Sequence, residues 1–253
     1  MTDDYRTTLQ PYADYGSADV GPAAYQAAIV RVDAEYEAAY GPYLPSDRQA
    51  KILDIGCGQG LCIAWLRRRG YTQVAGIDQS PTMLAVAKTH LGEGGLQQID
   101  DLAKWLSSHE ESYDAIVLNQ VIEHFTKQEI AVYLPLIRKA LRPGGVFLVQ
   151  TPNACAFDGM RSRYVDITHE VGFTENSLAQ VLHLAGFVDI RMIAARPPLR
   201  GGPRRLLFRL LQRWQQVWLG WQYLIALGSD RPRVLTPNLT GIATRPTVSA
   251  SAR

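Results

Sequence analysis

This chain has few cysteines and a low net charge. Its 253 residues include only three cysteines, Cys57, Cys62 and Cys155, and no two of them form a C-x-x-C pair. A zinc site or a disulfide framework is therefore not expected. The 26 basic residues against 24 acidic ones leave a net charge of +2, which gives no electrostatic reason to expect a nucleic acid partner.

The chain also lacks an apolar leader. Its first four residues, MTDD, are acidic, and no apolar segment of the signal-peptide kind follows them, so we expect a cytoplasmic protein. Hydrophobic residues make up 47% of the sequence, which is enough to build one domain with a substantial core.

The segment at 51–60, KILDIGCGQG, is the most informative part of the sequence. A short apolar run leads into Gly56, Gly58 and Gly60, and a helix-compatible stretch follows. Strand, glycine turn and helix is the arrangement in which a ligand lies against bare backbone at a helix N-terminus. The spacing lacks the third glycine of the dinucleotide fingerprint G-x-G-x-x-G, which counts against a nicotinamide dehydrogenase.

Two acidic residues end the first two predicted strands. Asp54 precedes the glycine loop, where a carboxylate would repel a pyrophosphate but suits an ammonium group. Asp78 follows Gly60 by 18 residues, where a carboxylate accepts both hydroxyls of a ribose. These features together suit a nucleoside attached to an amino acid, and S-adenosylmethionine is such a ligand.

Four motifs extend this interpretation along the chain: LDIGCGQG (53–60), GIDQSPTML (76–84), YDAIVLNQVIEHF (113–125) and LRPGGVFLVQTPN (141–153). With these motifs the chain closely resembles the class I S-adenosylmethionine-dependent methyltransferases. The resemblance implies S-adenosylmethionine as cofactor. The predicted cofactor residues are Asp54, Gly56, Cys57, Gly58, Gly60, Asp78, Gln79, Met83, Asp100, Asp101, Leu102 and Asn119.

The resemblance also assigns positions around the cofactor. Gln79 and Met83 are expected to flank the adenine, and Asp100 or Asp101 with Leu102 to meet its edge. Asn119 is expected beneath the methionine portion. Two alternatives stay open, since glycines also serve ordinary turns and an apolar helix residue such as Met83 also suits a core.

The alternation of strands and helices predicts an α/β fold of the Rossmann-like, doubly wound kind. We expect seven mostly parallel strands, an antiparallel last strand and a helical insert before it. The predicted parts are an arm and helix (1–45), a cofactor-binding core (46–200), an amphipathic insert (201–230), and the last strand with a tail (231–253). The predicted turn at 141–145 leads into the fifth strand.

The insert departs from the resembled family, which usually joins its last two strands by a tight hairpin. Apolar residues recur every three or four positions over 203–227, which predicts a helix. This helix has three interpretations: packing against the domain, peripheral contact with a membrane surface, or a dimer seam. It is not expected to span a bilayer, because Arg, Gln and Trp interrupt its apolar runs.

The acceptor side is expected in the segment 163–175 and after the fourth strand. His169 is the first choice of general base and His124 the second, since an imidazole titrates near neutrality. Glu170 completes the predicted catalytic group, although His169 and Glu170 would equally serve to tie the loop down. No metal is predicted, because the spacing of nearby acids does not demand one.

The pattern at 163–187, RYVDITHEVGFTENSLAQVLHLAGF, resembles bacterial methyltransferases of surface-polysaccharide and glycan assembly. Their core is similar to that of ubiquinone-type O-methyltransferases. The resemblance implies a sugar hydroxyl of a small-molecule or glycan acceptor, with a quinone or other lipid-type aromatic acceptor as the alternative. A cofactor-binding module without chemistry is the alternative from another class, and the oligomeric state stays open.

Overall fold

The structure is a computed structural model, and it describes residues 21–196 and 202–247. The predicted N-terminal arm and the end of the predicted tail lie outside the described residues. Within them, seven strands form one sheet in the order β3-β2-β1-β4-β5-β7-β6. The strands are β1 (Ile52–Ile55), β2 (Val74–Asp78), β3 (Leu96–Gln98), β4 (Tyr113–Asn119), β5 (Leu141–Pro152), β6 (Val188–Ile193) and β7 (Asn238–Thr244).

Strands β1 to β5 pair in parallel, and β7 pairs antiparallel with both β5 and β6, so six strands run in one direction and β7 in the other. The predicted fold class is therefore confirmed. The α-helices of the described residues are α1 (Pro22–Ala39), α2 (Leu61–Arg68), α3 (Pro81–Leu91), α4 (Leu102–Ser107), α5 (Lys127–Ala140), α6 (Gly159–Tyr164), α7 (Glu175–Leu184) and α8 (Pro203–Leu227). Short 3-10 helices cover Gly41–Tyr43, Ile122–His124 and Gly228–Asp230.

Side-chain caps fix where several helices begin. Ser80 accepts a hydrogen bond from the backbone N–H of Met83 and starts α3 beside the end of β2. Thr174 accepts a hydrogen bond from the N–H of Ser177 and starts α7. Such caps set the loops at the carboxyl edge of the sheet, where the site residues lie.

Two local predictions were wrong. The predicted turn at 141–145 lies inside β5, where a bulge falls between the pairs Tyr113–Leu141 and Ala115–Val146. The third strand ends at Gln98 and does not continue to Asp101. Helix α6 was not predicted at all.

Apolar layers cover both faces of the sheet, as the burial of a parallel sheet requires. Leu53 and Ile55 point into one layer, and Ile52 points into the other with Trp65. Asp54 shares the face of Ile52 because side chains alternate along a strand. A carboxylate is thereby placed in an apolar layer.

Candidate functional site

A cavity of about 400 Å³ opens where β1, β2 and β4 end. Parallel α/β sheets bind ligands at this edge. Eight predicted site residues line it: Gly56, Gly58, Asp78, Gln79, Met83, Leu102, His124 and Glu170. The sequence did not single out several other lining residues, which include Ser80, Gln120, Val121, Phe125 and Tyr133.

The glycine loop gives this cavity a bare floor. Gly58 has a φ of +50°, and a Cβ added there would meet no atom within 4 Å, so it would project into open space. Gly56 has a φ of +68°, and its Cβ would come within 2.4 Å of Val121. Any side chain at these two positions would be strained, and at Gly58 it would occupy ligand space.

Asp78 holds the loop and the next helix together. Its Oδ2 accepts a hydrogen bond from the N–H of Gly58 at 2.7 Å, and its Oδ1 accepts from the N–H of Ser80 at 2.8 Å. The carboxylate lines the cavity at the end of β2. Its position is the one in which an acid accepts ribose hydroxyls.

Asp54 is buried directly behind the loop, with 2% of its surface exposed. Burial, together with the like charge of Asp78, raises its pKa to about 8. A cation placed beside this carboxyl group would favour its ionised form. The raised pKa of Asp54 therefore fits the predicted contact of this carboxyl group with the ammonium group of the cofactor's amino-acid portion.

Besides Asp54, five predicted cofactor residues do not line the cavity: Cys57, Gly60, Asp100, Asp101 and Asn119. Gly60 has a φ of +78°, and its Cβ would press on Leu91 and Ala87 of α3. Asp101 accepts a hydrogen bond from the N–H of Lys104 and caps α4.

The remaining members of this group have other neighbours. Asn119 accepts a hydrogen bond from the hydroxyl of Tyr40 at 2.8 Å. The carbonyl of Asp100 accepts from Gln79 at 3.4 Å, and Cys57 is buried beneath Gly76. Asp54 also lies outside the cavity lining. The contact of all six residues with the cofactor stays a prediction.

His124 reaches the cavity wall from the 3-10 helix after β4. The hydroxyl of Thr168 donates to Asp166 at 2.7 Å and lies 2.9 Å from Nδ1 of His124. Partial burial pushes the pKa of Asp166 upward, but the hydrogen bonds from Thr168 and the nearby histidines outweigh it, so the pKa lies below its usual value. Because the ionised carboxylate takes the hydroxyl proton, Nδ1 of His124 must donate to Thr168, and Nε2 is the basic nitrogen.

His169 stands behind His124, with ring centroids 4.7 Å apart, and does not line the cavity. Its Nδ1 lies 2.8 Å from the carbonyl of Ser162, which makes Nδ1 the donor. The backbone N–H of Glu170 donates to the carbonyl of Glu123 at 2.7 Å, so this segment is also tied to the 3-10 helix. His169 and Glu170 thus have anchoring contacts, and their chemical roles stay predictions.

Glu123 is a buried acid beside His124 in the 3-10 helix. It is 2% exposed, and among the described residues neither carboxylate oxygen has a hydrogen-bond partner. Burial raises its pKa to about 8. Ligand atoms of Glu123, His124 and His169 all lie within 4.8 Å of one another, so a divalent cation would find three donors here. The predicted lack of a metal stays a prediction.

A second cavity of about 240 Å³ lies under α8. The N–H of Gln120, which lines the first cavity, donates to the carbonyl of Gln150, which lines the second. All of its lining residues except Ala195 and Pro237 are polar. The polar ones are Glu35, Gln150, Arg196, Arg209, Gln212, Arg213, Gln216, Thr236 and Asn238. No local sequence signal marks this cavity, because its walls come from α1, β5, α8 and β7.

A family model described as "Methyltransferase domain" matches residues 31–191, which is more than half of the chain. Two ubiquinone biosynthesis O-methyltransferases are among the curated relatives. The one from Azoarcus sp. is 34% identical over 41% of this chain and 44% of its own length. The one from Cereibacter sphaeroides is 32% identical over 49% of each chain. The matched region therefore spans less than half of these relatives.

A crystal structure of a SAM-dependent methyltransferase from Archaeoglobus fulgidus has a TM-score of 0.61 and 16% identity, covering 96% of this chain and all of that one. This likeness supports the fold alone. The family match covers the glycine loop, Asp78 and the 3-10 helix of His124. The chain therefore belongs to the methyltransferase domain family, and it is a class I methyltransferase that uses S-adenosylmethionine.

Proposed function

We propose that the chain methylates a hydroxyl oxygen of a sugar in a surface-glycan precursor. The observation that carries the proposal is the polar cavity under α8, which adjoins the cofactor cavity at the ends of β4 and β5. Arg, Gln and Asn side chains offer many hydrogen bonds to a polyhydroxylated or phosphorylated acceptor. An aromatic ring on a long apolar tail would leave those groups unpaired.

Three features of the chain would hold the cofactor. The bare backbone at Gly58 would admit it, Asp78 would accept its ribose hydroxyls, and the carboxylate of Asp54 behind the loop would favour its ammonium end. When bound, S-adenosylmethionine supplies a methyl group on a positively charged sulfur. The protein's task is then to align the acceptor oxygen with the methyl carbon and the sulfur, since alignment provides most of the rate.

His124 is the general base in this proposal. The acceptor hydroxyl gives its proton to Nε2 of His124 as its oxygen bonds to the methyl carbon, while the carbon–sulfur bond breaks and S-adenosylhomocysteine leaves. Asp166 stabilises the resulting imidazolium through Thr168. We rank His124 ahead of His169 because His124 is the histidine on the cavity wall.

The experiment supplies the purified chain with S-adenosylmethionine labelled on the methyl group. One acceptor set contains nucleotide-linked sugars and a membrane glycan fraction, and the other contains catechols. Label in the sugar fraction, with an equal amount of S-adenosylhomocysteine, is the expected result. Label in the catechol alone would refute the sugar assignment.

A quinone or related aromatic acceptor is the second candidate. It is favoured by the relatives at 32% and 34% identity, which are ubiquinone biosynthesis O-methyltransferases. Phe125 and Tyr133, whose rings lie 4.9 Å apart, both line the cofactor cavity and offer an apolar wall. The catechol set of the same experiment tests it. Absence of S-adenosylhomocysteine with every acceptor, including whole cell extract, would support a non-catalytic module.

A further inference from the structure

Helix α8 carries its apolar side away from the protein. Leu207, Leu211, Trp214, Trp218, Trp221 and Ile225 recur at spacings of three and four, so they share one side of the helix. We name these six residues the tryptophan stripe. Each is between 48% and 84% exposed, and α8 buries none of its 25 residues.

The opposite side of α8 contacts the body of the protein. The half-buried residues of α8 are Arg209, Gln215, Gln216, Leu219, Gly220, Tyr223 and Leu224, and none of them belongs to the tryptophan stripe. A Cβ at Gly220 would lie 3.4 Å from Leu235, and the hydroxyl of Tyr223 donates to the carbonyl of Cys155 at 3.4 Å. Amphipathic helices of globular proteins normally present the other side to the core, so this polarity is inverted.

We propose that the tryptophan stripe binds the surface of an anionic phospholipid bilayer, with α8 lying in the plane of the interface. The stripe covers about 27 Å at a rise of about 1.5 Å per residue. Its three indole rings suit the boundary between headgroups and acyl chains. Among the helices of the described residues, none is long and apolar enough to cross a membrane, so contact is confined to the surface.

The charge of α8 favours an anionic bilayer over a second copy of the chain as the binding partner of the tryptophan stripe. Helix α8 contains four arginines and no acidic residue. Arg209 and Arg213 line the cavity under α8, whereas Arg204 and Arg205 are exposed at its start. A second copy of α8 would offer these two exposed cations no acidic partner, whereas anionic headgroups complement them. Leu210 and Val217, which are also exposed, widen the apolar side beyond the two-column seam of a coiled coil.

The loop after β5 adds further exposed apolar residues. Phe157, Met160 and Ile167 are each about two-thirds exposed or more. This loop is joined to α8 through the Tyr223–Cys155 hydrogen bond, and it leads to Thr168 at the cofactor cavity. Membrane contact through α8 would therefore bring the mouth of the site near lipid-carried acceptors.

The test is co-sedimentation of the full chain with vesicles of phosphatidylglycerol and phosphatidylcholine, compared with phosphatidylcholine alone. We expect binding to the anionic vesicles and a blue shift of tryptophan fluorescence. The double variant Trp214→Gln/Trp218→Gln should weaken vesicle affinity about tenfold or more, because it removes two large apolar contacts. Leu184→Gln, which changes an equally exposed apolar residue on α7, is the matched control and should bind normally.

A second variant tests the charge argument. Arg204→Gln/Arg205→Gln removes two exposed cations at the start of α8 and should weaken binding to anionic vesicles about 30-fold, since each cation near the surface contributes about 1 kcal/mol. Unchanged affinity for S-adenosylmethionine in all variants shows that they are folded. The proposal is overturned if the wild type does not bind anionic vesicles. A dimer in light scattering that the tryptophan variant dissociates, with no vesicle binding, would assign the stripe to a second copy of the chain.

Discussion

The two halves of the sheet build their parts of the site in different ways. In the cofactor half, one continuous segment from β1 to α2 supplies the backbone surface, and Asp78 ties it to the start of α3 by accepting hydrogen bonds from Gly58 and Ser80. In the acceptor half, His124 depends on Thr168 and Asp166, more than forty residues away in sequence. A backbone site is encoded locally and tolerates little change, whereas a side-chain site depends on distant loops.

The strongest test of this difference is His124→Asn. We expect turnover to fall about 10²- to 10⁴-fold, because the base of the acceptor half is lost. Affinity for S-adenosylmethionine, measured by calorimetry, should stay within about twofold of the wild type. Full turnover in this variant would contradict His124 as the general base and would favour His169. Turnover of His169→Asn should therefore be measured alongside.

Dialysis against EDTA separates a base from a metal ligand at the same residue. We expect unchanged turnover, since a base needs no cation. A loss restored by Mg²⁺ or Zn²⁺ would assign Glu123, His124 and His169 to a metal, whose ligand atoms already lie within 4.8 Å.

The next largest effect is expected in the cofactor half. Asp78→Ala removes both the ribose acceptor and the restraint on Gly58, so the Kd for S-adenosylmethionine should rise about 100-fold, roughly the cost of two charge-assisted hydrogen bonds. Thr126→Ala is the control, because Thr126 caps α5 and does not line the cavity, and its loss should cost about 1 kcal/mol of stability. Equal affinities for wild type and Asp78→Ala would refute the ribose assignment.

A smaller effect is expected under α8. Arg213→Gln should raise the acceptor KM about tenfold while leaving kcat nearly unchanged, as removal of uniform binding does. Steady-state kinetics with the preferred acceptor measures this. A fall in kcat with unchanged KM would mean that the cavity acts on the reacting groups and does not merely bind.

The smallest effect concerns the buried carboxyl group of Asp54. Its pKa is about 8 in the folded protein and near 3.8 when unfolded, so the folded state holds the proton more tightly and wild-type stability falls as pH rises from about 4 to 8. Asp54→Asn removes this loss. The variant's melting temperature should exceed the wild type's by about 2–4 °C for each kcal/mol recovered, with the gap widening from pH 5 to pH 8 and then levelling.

Cofactor affinity should move in the opposite direction. Asp54→Asn should bind S-adenosylmethionine more weakly, because the ammonium loses its carboxylate. Thermal melts at pH 5, 7 and 9, with and without cofactor, measure both effects. A pH-independent gap between the two proteins would contradict the raised pKa.

Sequence patterns sufficed for what is local. The glycine loop, the acid at Asp78 and the order of strands and helices all follow from short motifs and periodicity. The bulge in β5 was missed because Arg142–Gly145 reads as a turn, whereas in the structure these residues lie between two pairs with β4 and their glycines form hydrogen bonds with Arg245.

The missed parts share a physical cause. The bond between Thr168 and His124, and the walls of the second cavity, depend on how distant loops close over the sheet. Periodicity correctly predicted the helix at 203–227, but it cannot tell which side of a helix meets the protein. The polar side of α8 faces inward, against the usual rule.

The pairing of β6 with β7 has a consequence for how this enzyme can change. Ile193 lies opposite Thr240, so the sheet holds the two ends of the excursion between β6 and β7, residues 194–237, close together. A segment tethered in this way can be lengthened, shortened or exchanged without altering strand register, because closing a longer loop between fixed ends costs little. Evolution or an engineer can thus exchange this excursion as a unit. The exchange would change which acceptor the enzyme uses, while the use of the methyl donor stays the same.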